Sequence, residues 1–253
     1  MKNFGIIIVL LGTMISLNTA FASLPQEMFQ HRWRTTPLIG VSGGYAVRDG
    51  HITSSILYGN NPNTSATLVR DYSDNGLIYG ILGGFQGTLH PWLLGIEVNL
   101  EWQDIDSPHA YAFRDSNAQF GWNASTTYRR ETVVGLTGRV GYIFTPDVMP
   151  YFRFGAEVGR DKLATRFFGT NAFPVSVTID SKVWVYRFLM GAGLEIPVPC
   201  TGVVLRLEYD VHSKGKTAET NGAYIDGVIN PVFNCQMQPL TQSGSIALVH
   251  YFY

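Results

Sequence analysis

The sequence contains little charge and very few cysteines. Asp, Glu, Lys and Arg make up 15% of its 253 residues, and the formal net charge is only −1. A chain without an excess of basic residues lacks the electrostatic attraction on which nucleic-acid binding depends, so we expect no nucleic-acid partner. The two cysteines, Cys200 and Cys235, are too few for a disulfide scaffold and form no CxxC zinc motif.

The common catalytic and metal-binding motifs are missing as well. The six histidines show no HxH or HxxxH spacing of the kind that holds a metal ion. No GxSxG motif, P-loop or dinucleotide-binding glycine motif follows a strand pattern. We therefore expect no metal, no cofactor and no catalytic residues.

Long apolar runs are confined to the start of the chain. Lys2 precedes an apolar stretch at residues 4–17, and Ala20 and Ala22 then give the small-x-small pattern of a cleavage site. Residues 1–22 are predicted to be a secretion signal, with an uncleaved membrane anchor as the less favoured alternative, because a spanning helix needs ~20 apolar residues. An exported chain of this kind is soluble in the periplasm, secreted, or a membrane barrel.

The composition and the residue pattern favour β-structure. The sequence has 27 glycines and 13% aromatic residues, a mixture that suits strands better than helices. Hydrophobic residues recur at every second position in eight segments of the chain. The predicted strands are 37–47, 76–89, 92–104, 131–145, 150–160, 182–196, 203–213 and 242–253.

Each predicted strand has one apolar face and one polar face. In the seventh strand, Leu205 and Leu207 lie on one side, and Arg206 and Glu208 lie on the other. A soluble sandwich would turn the apolar faces inward. The apolar rows are instead long and aromatic-rich, as in a lipid-facing belt, whereas the charged rows mix both signs with glycine, which suits a packed barrel interior.

The connections between the predicted strands alternate in length. Short links lie at 90–91, 145–149 and 197–202, and long links lie at about 48–75, 105–130, 161–181 and 214–241. Transmembrane barrels have short periplasmic turns and long extracellular loops. The sequence therefore predicts an all-β fold, an eight-stranded antiparallel transmembrane β-barrel at residues 37–253. Residues 23–36 are predicted to be a periplasmic segment, and both termini to be periplasmic.

Three motifs resemble those of a known group of proteins. They are YFRFG at 151–155, LRLEY at 205–209, and the chain end with Tyr251 and Tyr253 on one face. With the strand count and loop alternation, the chain resembles the small eight-stranded bacterial outer-membrane proteins of the OmpA-like and opacity-type group. The resemblance implies outer-membrane lipid around the barrel and insertion by the barrel-assembly machinery, with Tyr251 and Tyr253 as the assembly signal. It also implies a surface antigen whose extracellular loops bind host or environmental ligands.

Ten charged residues fall on the predicted inner faces. An eight-stranded interior is just wide enough to be filled by side chains, so a network of ion pairs is the favoured interpretation. In that interpretation Arg139, Arg153, Arg187 and Arg206 pair with Glu97, Glu157, Glu195 and Glu208. The alternative is a narrow ion-conducting pore lined by the same network. The ten residues are Glu97, Glu101, Arg139, Arg153, Glu157, Arg187, Glu195, Arg206, Glu208 and Asp210.

A second alternative is a lipid-modifying enzyme on the barrel wall. His212 and Ser213 invite that comparison, but adjacent strand residues point to opposite faces, so we expect His212 in the lumen and Ser213 at the lipid. Cys200 and Cys235 are predicted at opposite ends of the barrel, and whether they are bonded or free is left open. The sequence shows no basic cluster that marks a site for phosphate groups.

Overall fold

The computed structural model describes residues 34–58, 65–114, 121–144, 148–169, 176–199, 201–223 and 231–253. Within those ranges, no helix has the length and apolar character needed to cross a bilayer. Eleven strands in the described part of the chain form a single sheet. They are β1 Arg34–Tyr58, β2 Ser65–Leu89, β3 Trp92–Asp104, β4 Pro108–Arg114, β5 Gly121–Tyr142, β6 Met149–Gly169, β7 Ser176–Pro197, β8 Val203–His212, β9 Ala218–Ala223, β10 Pro231–Met237 and β11 Leu240–Tyr251.

Eight of these strands close into a ring. The order is β11-β8-β7-β6-β5-β3-β2-β1, and β11 also pairs with β1, with Leu38 opposite Tyr251. Every pairing is antiparallel. The predicted eight-stranded antiparallel barrel is confirmed. The strand ends Leu89 and Trp92, Tyr142 and Met149, and Pro197 and Val203 lie at one end of the ring, which we call the short-turn end; the opposite end is the extended end.

The outer surface of the ring is an apolar belt. On β7 the outward residues run from Trp184 to Leu194, which is about 33 Å along the strand and about 25 Å along the axis at the usual tilt. Phe152, Tyr186 and Phe188 are each more than 70% exposed. Large apolar side chains in a continuous exposed band are typical of a surface that faces lipid.

Strands continue beyond the belt where long loops were predicted. The links at 48–75, 105–130, 161–181 and 214–241 contain the outer parts of β1, β2, β5, β6 and β7, together with β4, β9 and β10. The prediction that these links are loops was therefore wrong for most of their length. Their tips, at 59–64, 115–120, 170–175 and 224–230, lie outside the described residues.

The inside and outside of the barrel exchange polarity at the edge of the belt. On β6, the inward residues Glu157 and Asp161 give way to Leu163 and Phe167 farther out, while the outward residues change from apolar to basic. The interior of the extended end is therefore an apolar core, as in a soluble protein. Its members include Ile52, Ile56, Tyr72, Tyr111, Trp122, Tyr128, Leu163, Phe167, Phe233 and Met237.

Polar side chains join the strands of the extended end from within. The Tyr111 hydroxyl hydrogen-bonds with Ser54 and lies 2.8 Å from Thr126 Oγ1, which is 3.0 Å from Thr165 Oγ1. Burial raises the pKa of Tyr111 above its usual value, so the phenol stays neutral and can donate. This chain of hydroxyls links β1, β4, β5 and β6 across the apolar core.

Candidate functional site

The lumen of the ring holds a four-residue ion-pair cluster. Arg139 Nη1 lies 2.6 Å from Glu97 Oε1, and Arg139 Nη2 lies 2.5 Å from Glu195 Oε1. Arg206 contacts the same two oxygens, at 2.8 Å and 2.6 Å. Strands β3, β5, β7 and β8 each supply one member, because alternate residues of every strand point inward. Two guanidinium groups and two carboxylates therefore balance one another in the buried centre.

Tyr251 completes this cluster from β11. Its hydroxyl lies 2.9 Å from Arg206 Nη2, from Gln86 Oε1 and from Glu195 Oε1. It accepts from the arginine and can donate to one of the other two groups. Tyr253, in contrast, is 71% exposed. The two predicted signal residues thus occupy different surroundings, and their role in assembly stays a prediction.

A second cluster lies beside the first. Arg153 Nη1 is 3.1 Å from Glu208 Oε2 and 3.0 Å from Asp210 Oδ2. The Tyr151 hydroxyl donates to Glu208 Oε1 at 2.5 Å. The Arg139 guanidinium lies over the Tyr151 ring, 4.1 Å from its centroid, so a cation–π contact joins the two clusters.

A third group lies toward the extended end. Glu157 pairs with Arg130 and, at 2.9 Å, with His212 Nδ1. Arg187 pairs with Asp161, which also accepts a hydrogen bond from the Tyr128 hydroxyl. The predicted network paired its four arginines with four glutamates. In the structure Arg187 pairs with an aspartate, and both partners of Glu157 lie outside the ten predicted residues.

The structure places nine of the ten predicted residues together in the buried lumen. Glu101 is only half-buried and accepts a hydrogen bond from Gln103 Nε2 at 2.7 Å. The sequence analysis missed Arg130 and Asp161 because each lies one residue outside a predicted strand. It also missed a β-bulge between Arg130 and Val133. Even-numbered residues of β5 point inward before the bulge, and odd-numbered residues point inward after it.

One arrangement has the order of a catalytic triad. His212 Nε2 lies 3.3 Å from Ser243 Oγ, and His212 Nδ1 contacts Glu157. A serine nucleophile also needs two free N–H groups to stabilise an oxyanion. Ser243 lies in β11 between β1 and β8, where the ladder hydrogen bonds occupy the backbone amides. The arrangement therefore provides a buried hydrogen-bond bridge among β6, β8 and β11.

Ser213 does not take part in that arrangement. Its hydroxyl accepts a hydrogen bond from the backbone N–H of Phe188 at 2.9 Å. His212 faces the lumen, as its position in the alternation predicts. The two side chains therefore have different partners, since His212 contacts Glu157 and Ser243 while Ser213 contacts the backbone of β7.

Cys235 lies on β10 and not in a loop, contrary to the prediction. Its sulfur is buried, 3.7 Å from Thr126 Oγ1 and 4.0 Å from the Tyr111 hydroxyl. Cys200 lies outside the described residues. Across the described ranges, no group of three or more His, Cys, Asp or Glu side chains is arranged to hold a metal ion.

These features define the class of protein. A closed ring of eight antiparallel strands, an apolar outer belt and a lumen of paired charges make up a small transmembrane β-barrel of the bacterial outer-membrane kind.

No protein-family model matches the chain, and no curated protein sequence matches it. Similar solved structures include Ail of Yersinia pestis, with 15% identity over 80% of this chain and 98% of that chain, at a TM-score of 0.28. Neisserial surface protein A shares 10% identity over 82% and 97% of the two chains, at a TM-score of 0.36. The outer membrane protease OmpT from Escherichia coli shares 8% identity over 92% and 99%, at a TM-score of 0.45.

Proposed function

We propose that this protein is a non-enzymatic surface and structural protein of the bacterial outer membrane. In this proposal the lumen serves as a rigid support and the extended end faces outward, where its strand tips meet host or environmental ligands. The single observation that carries the proposal is the continuous filling of the lumen by paired charges and packed apolar side chains.

Apolar side chains close the lumen on both sides of its ion-pair clusters. Toward the short-turn end, Leu38, Leu82, Val204 and Val249 pack with Tyr251. Toward the extended end, the apolar core of aromatic residues lies above Arg187 and Asp161. An ion path needs a continuous polar route, and two apolar layers in series oppose one. This arrangement supports structure over conduction as the role of the lumen charges.

The extended end has the features of a binding platform. Its walls are strands with an apolar core of their own, so they form a rigid support at this end of the barrel. Its outer faces are mostly polar, and on β9 and β10 the amide side chains of Asn221 and Asn234 donate to Glu219. Hydrogen bonds from Asn221 and Asn234 lower the pKa of the Glu219 carboxyl, so it stays ionised.

Conductance across a planar bilayer tests the role of the lumen. The mature protein is refolded, its folding is checked by heat-modifiable gel migration, and single-channel current is recorded. We expect a folded and electrically silent barrel. Discrete openings that change when Arg139 or Arg206 is neutralised would make the pore the leading function.

Accessibility of an inserted epitope tests the orientation. One tag is placed within residues 224–230 and a matched tag is placed after Pro91, at the short-turn end. In intact cells we expect antibody binding to the first tag only, and to both tags after permeabilisation. The reverse pattern would place the extended end in the periplasm and remove the proposed role in ligand binding.

A further inference from the structure

Basic side chains from three strands meet in one row on the outer wall of the barrel. Arg129 on β5 lies opposite Lys162 on β6, and Lys162 lies opposite Lys182 on β7. All three point outward, and Arg160 lies one position closer to the belt on β6. Because neighbouring strands are about 4.8 Å apart, the row spans about 10 Å. We call these four residues the basic row.

The basic row lies directly at the edge of the apolar belt. On β6, the outward residues change from Phe154 and Val158 to Arg160 and Lys162. On β7, Trp184 is the last aromatic residue of the belt and lies opposite Arg160. Tryptophan at a belt edge is typical of the level of lipid headgroups. The cations are therefore placed where headgroup phosphates lie.

Two carboxylates partly offset this charge. Glu131 lies 3.4 Å from Lys182 Nζ and 4.0 Å from Arg160 Nε, and Asp106 lies 3.9 Å from Arg129 Nη1. Four cations and these two anions leave a net charge of +2, which Asp180, exposed at the next outward position of β7, lowers to +1. Solvent-accessible ion pairs of this kind are weak, so a phosphate group can compete for the same cations.

The next strands around the ring, β3, β2 and β1, carry a net negative charge on their outer face. Just beyond the belt on these strands, the exposed outward residues include Asp49, Asp71 and Asp104, and Asp71 pairs with His51. The basic row is thus confined to one side of the barrel and does not form a uniform girdle. A one-sided cationic surface favours binding of an anion at a particular place over general attraction to the membrane.

We propose that the basic row binds the phosphate groups of an anionic lipid in the leaflet at the extended end. The acyl chains of that lipid pack on the belt between Phe154 and Trp184 while its headgroup contacts Arg160, Lys162 and Lys182. This proposal departs from the expectation from the sequence that no basic cluster marks a phosphate site. It holds whichever way the barrel is oriented, so it stands apart from the proposed function.

Quenching of tryptophan fluorescence by a brominated lipid tests the proposal. The refolded mature protein is placed in phosphatidylcholine nanodiscs with a fixed fraction of brominated phosphatidylglycerol. The Trp184→Phe variant defines the share of the signal that comes from Trp184. We expect phosphatidylglycerol to be enriched next to Trp184, and the K162Q/K182Q variant to lose roughly tenfold in preference for it.

Two further variants make the test specific. The R70Q/R166Q variant removes the same charge from exposed positions outside the basic row, and we expect it to keep the preference of the wild type. The E131Q variant frees Lys182 and Arg160, and we expect the preference to rise by about threefold. Equal losses in both double variants, or no loss in K162Q/K182Q, would overturn the proposal.

Inorganic phosphate distinguishes the lipid from a free anion. Added at the total phosphate concentration of the lipid, it should leave the quenching of Trp184 unchanged, because the belt contributes binding only for a lipid. Displacement of the brominated lipid by inorganic phosphate at that concentration would assign the row to a free anion instead. Gel migration and circular dichroism confirm that each variant is folded.

Discussion

Arg206 Nε and Glu195 Oε1 lie 2.6 Å apart, at directly opposed positions of β8 and β7. Arg139 contacts the same carboxylate oxygen from β5, so one buried glutamate holds two guanidinium groups. Tyr251 reaches the same oxygen at 2.9 Å, so Glu195 joins side chains from β5, β8 and β11.

Replacing Glu195 with alanine should therefore be strongly destabilising. The change leaves Arg139 and Arg206 with a surplus of buried positive charge, and loss of one partner of a buried pair costs about 3–5 kcal/mol. Urea unfolding of the protein in lipid vesicles measures the effect. Glu219→Ala, an exposed carboxylate on β9, is the control and should change stability little. Equal stability of the two variants would contradict the structural role of the lumen network.

A charged residue on the outer surface should lower the free energy of unfolding only within the apolar belt. Leu207 points outward at the middle of β8, and an arginine there should cost roughly 2–4 kcal/mol. Val69 is 62% exposed on the extended part of β2, so Val69→Arg should be nearly neutral. The same unfolding measurement compares the two variants. Normal stability of Leu207→Arg would argue that this face does not contact lipid.

The strands pack so closely at Gly155 that adding one methyl group there should lower stability. A Cβ there would overlap the Leu136 carbonyl oxygen and come within 2.7 Å of Thr137 Cα. We expect Gly155→Ala to cost about 1–3 kcal/mol through overpacking. A Cβ at Gly244 would meet no atom within 4 Å, so Gly244→Ala is the matched control and should fold normally. Similar heat-modifiable migration and stability in both variants would contradict the β5–β6 register.

Ser243 should not behave as a nucleophile. A fluorophosphonate probe, which labels activated serines, is expected to leave the folded barrel unmodified because the strand ladders leave no oxyanion site. A serine hydrolase treated in parallel confirms that the probe is active. Labelling that is lost in Ser243→Ala would instead support an enzymatic function for the Ser243–His212–Glu157 arrangement.

The ring and its two faces could be predicted from the sequence because strict alternation persists through the belt. The bounds of β3, Trp92–Asp104, match the predicted strand at both ends. The extended parts of the strands were not predicted because their apolar residues face inward, whereas in the belt the apolar residues face outward. Residues such as Ile52 and Phe167 face inward there, and polar residues face outward.

The pairing within the lumen and the basic row depend on register, which a single sequence does not specify. Arg129, Lys162 and Lys182 are far apart in the chain and become neighbours only when three strands align. The bulge in β5 has the same consequence for Arg130, since its inward position depends on one irregularity. Local patterns therefore predicted which faces are polar, but not which charges meet.

The uneven distribution of charge around the outer wall gives the barrel a direction within the plane of the bilayer. With a surplus of cations on β5, β6 and β7 and of carboxylates on β1, β2 and β3, the two sides present opposite fields to the surrounding headgroups. Rotation about the membrane normal thus changes what each neighbouring lipid meets. The outer wall of the barrel therefore has a basic side and an acidic side.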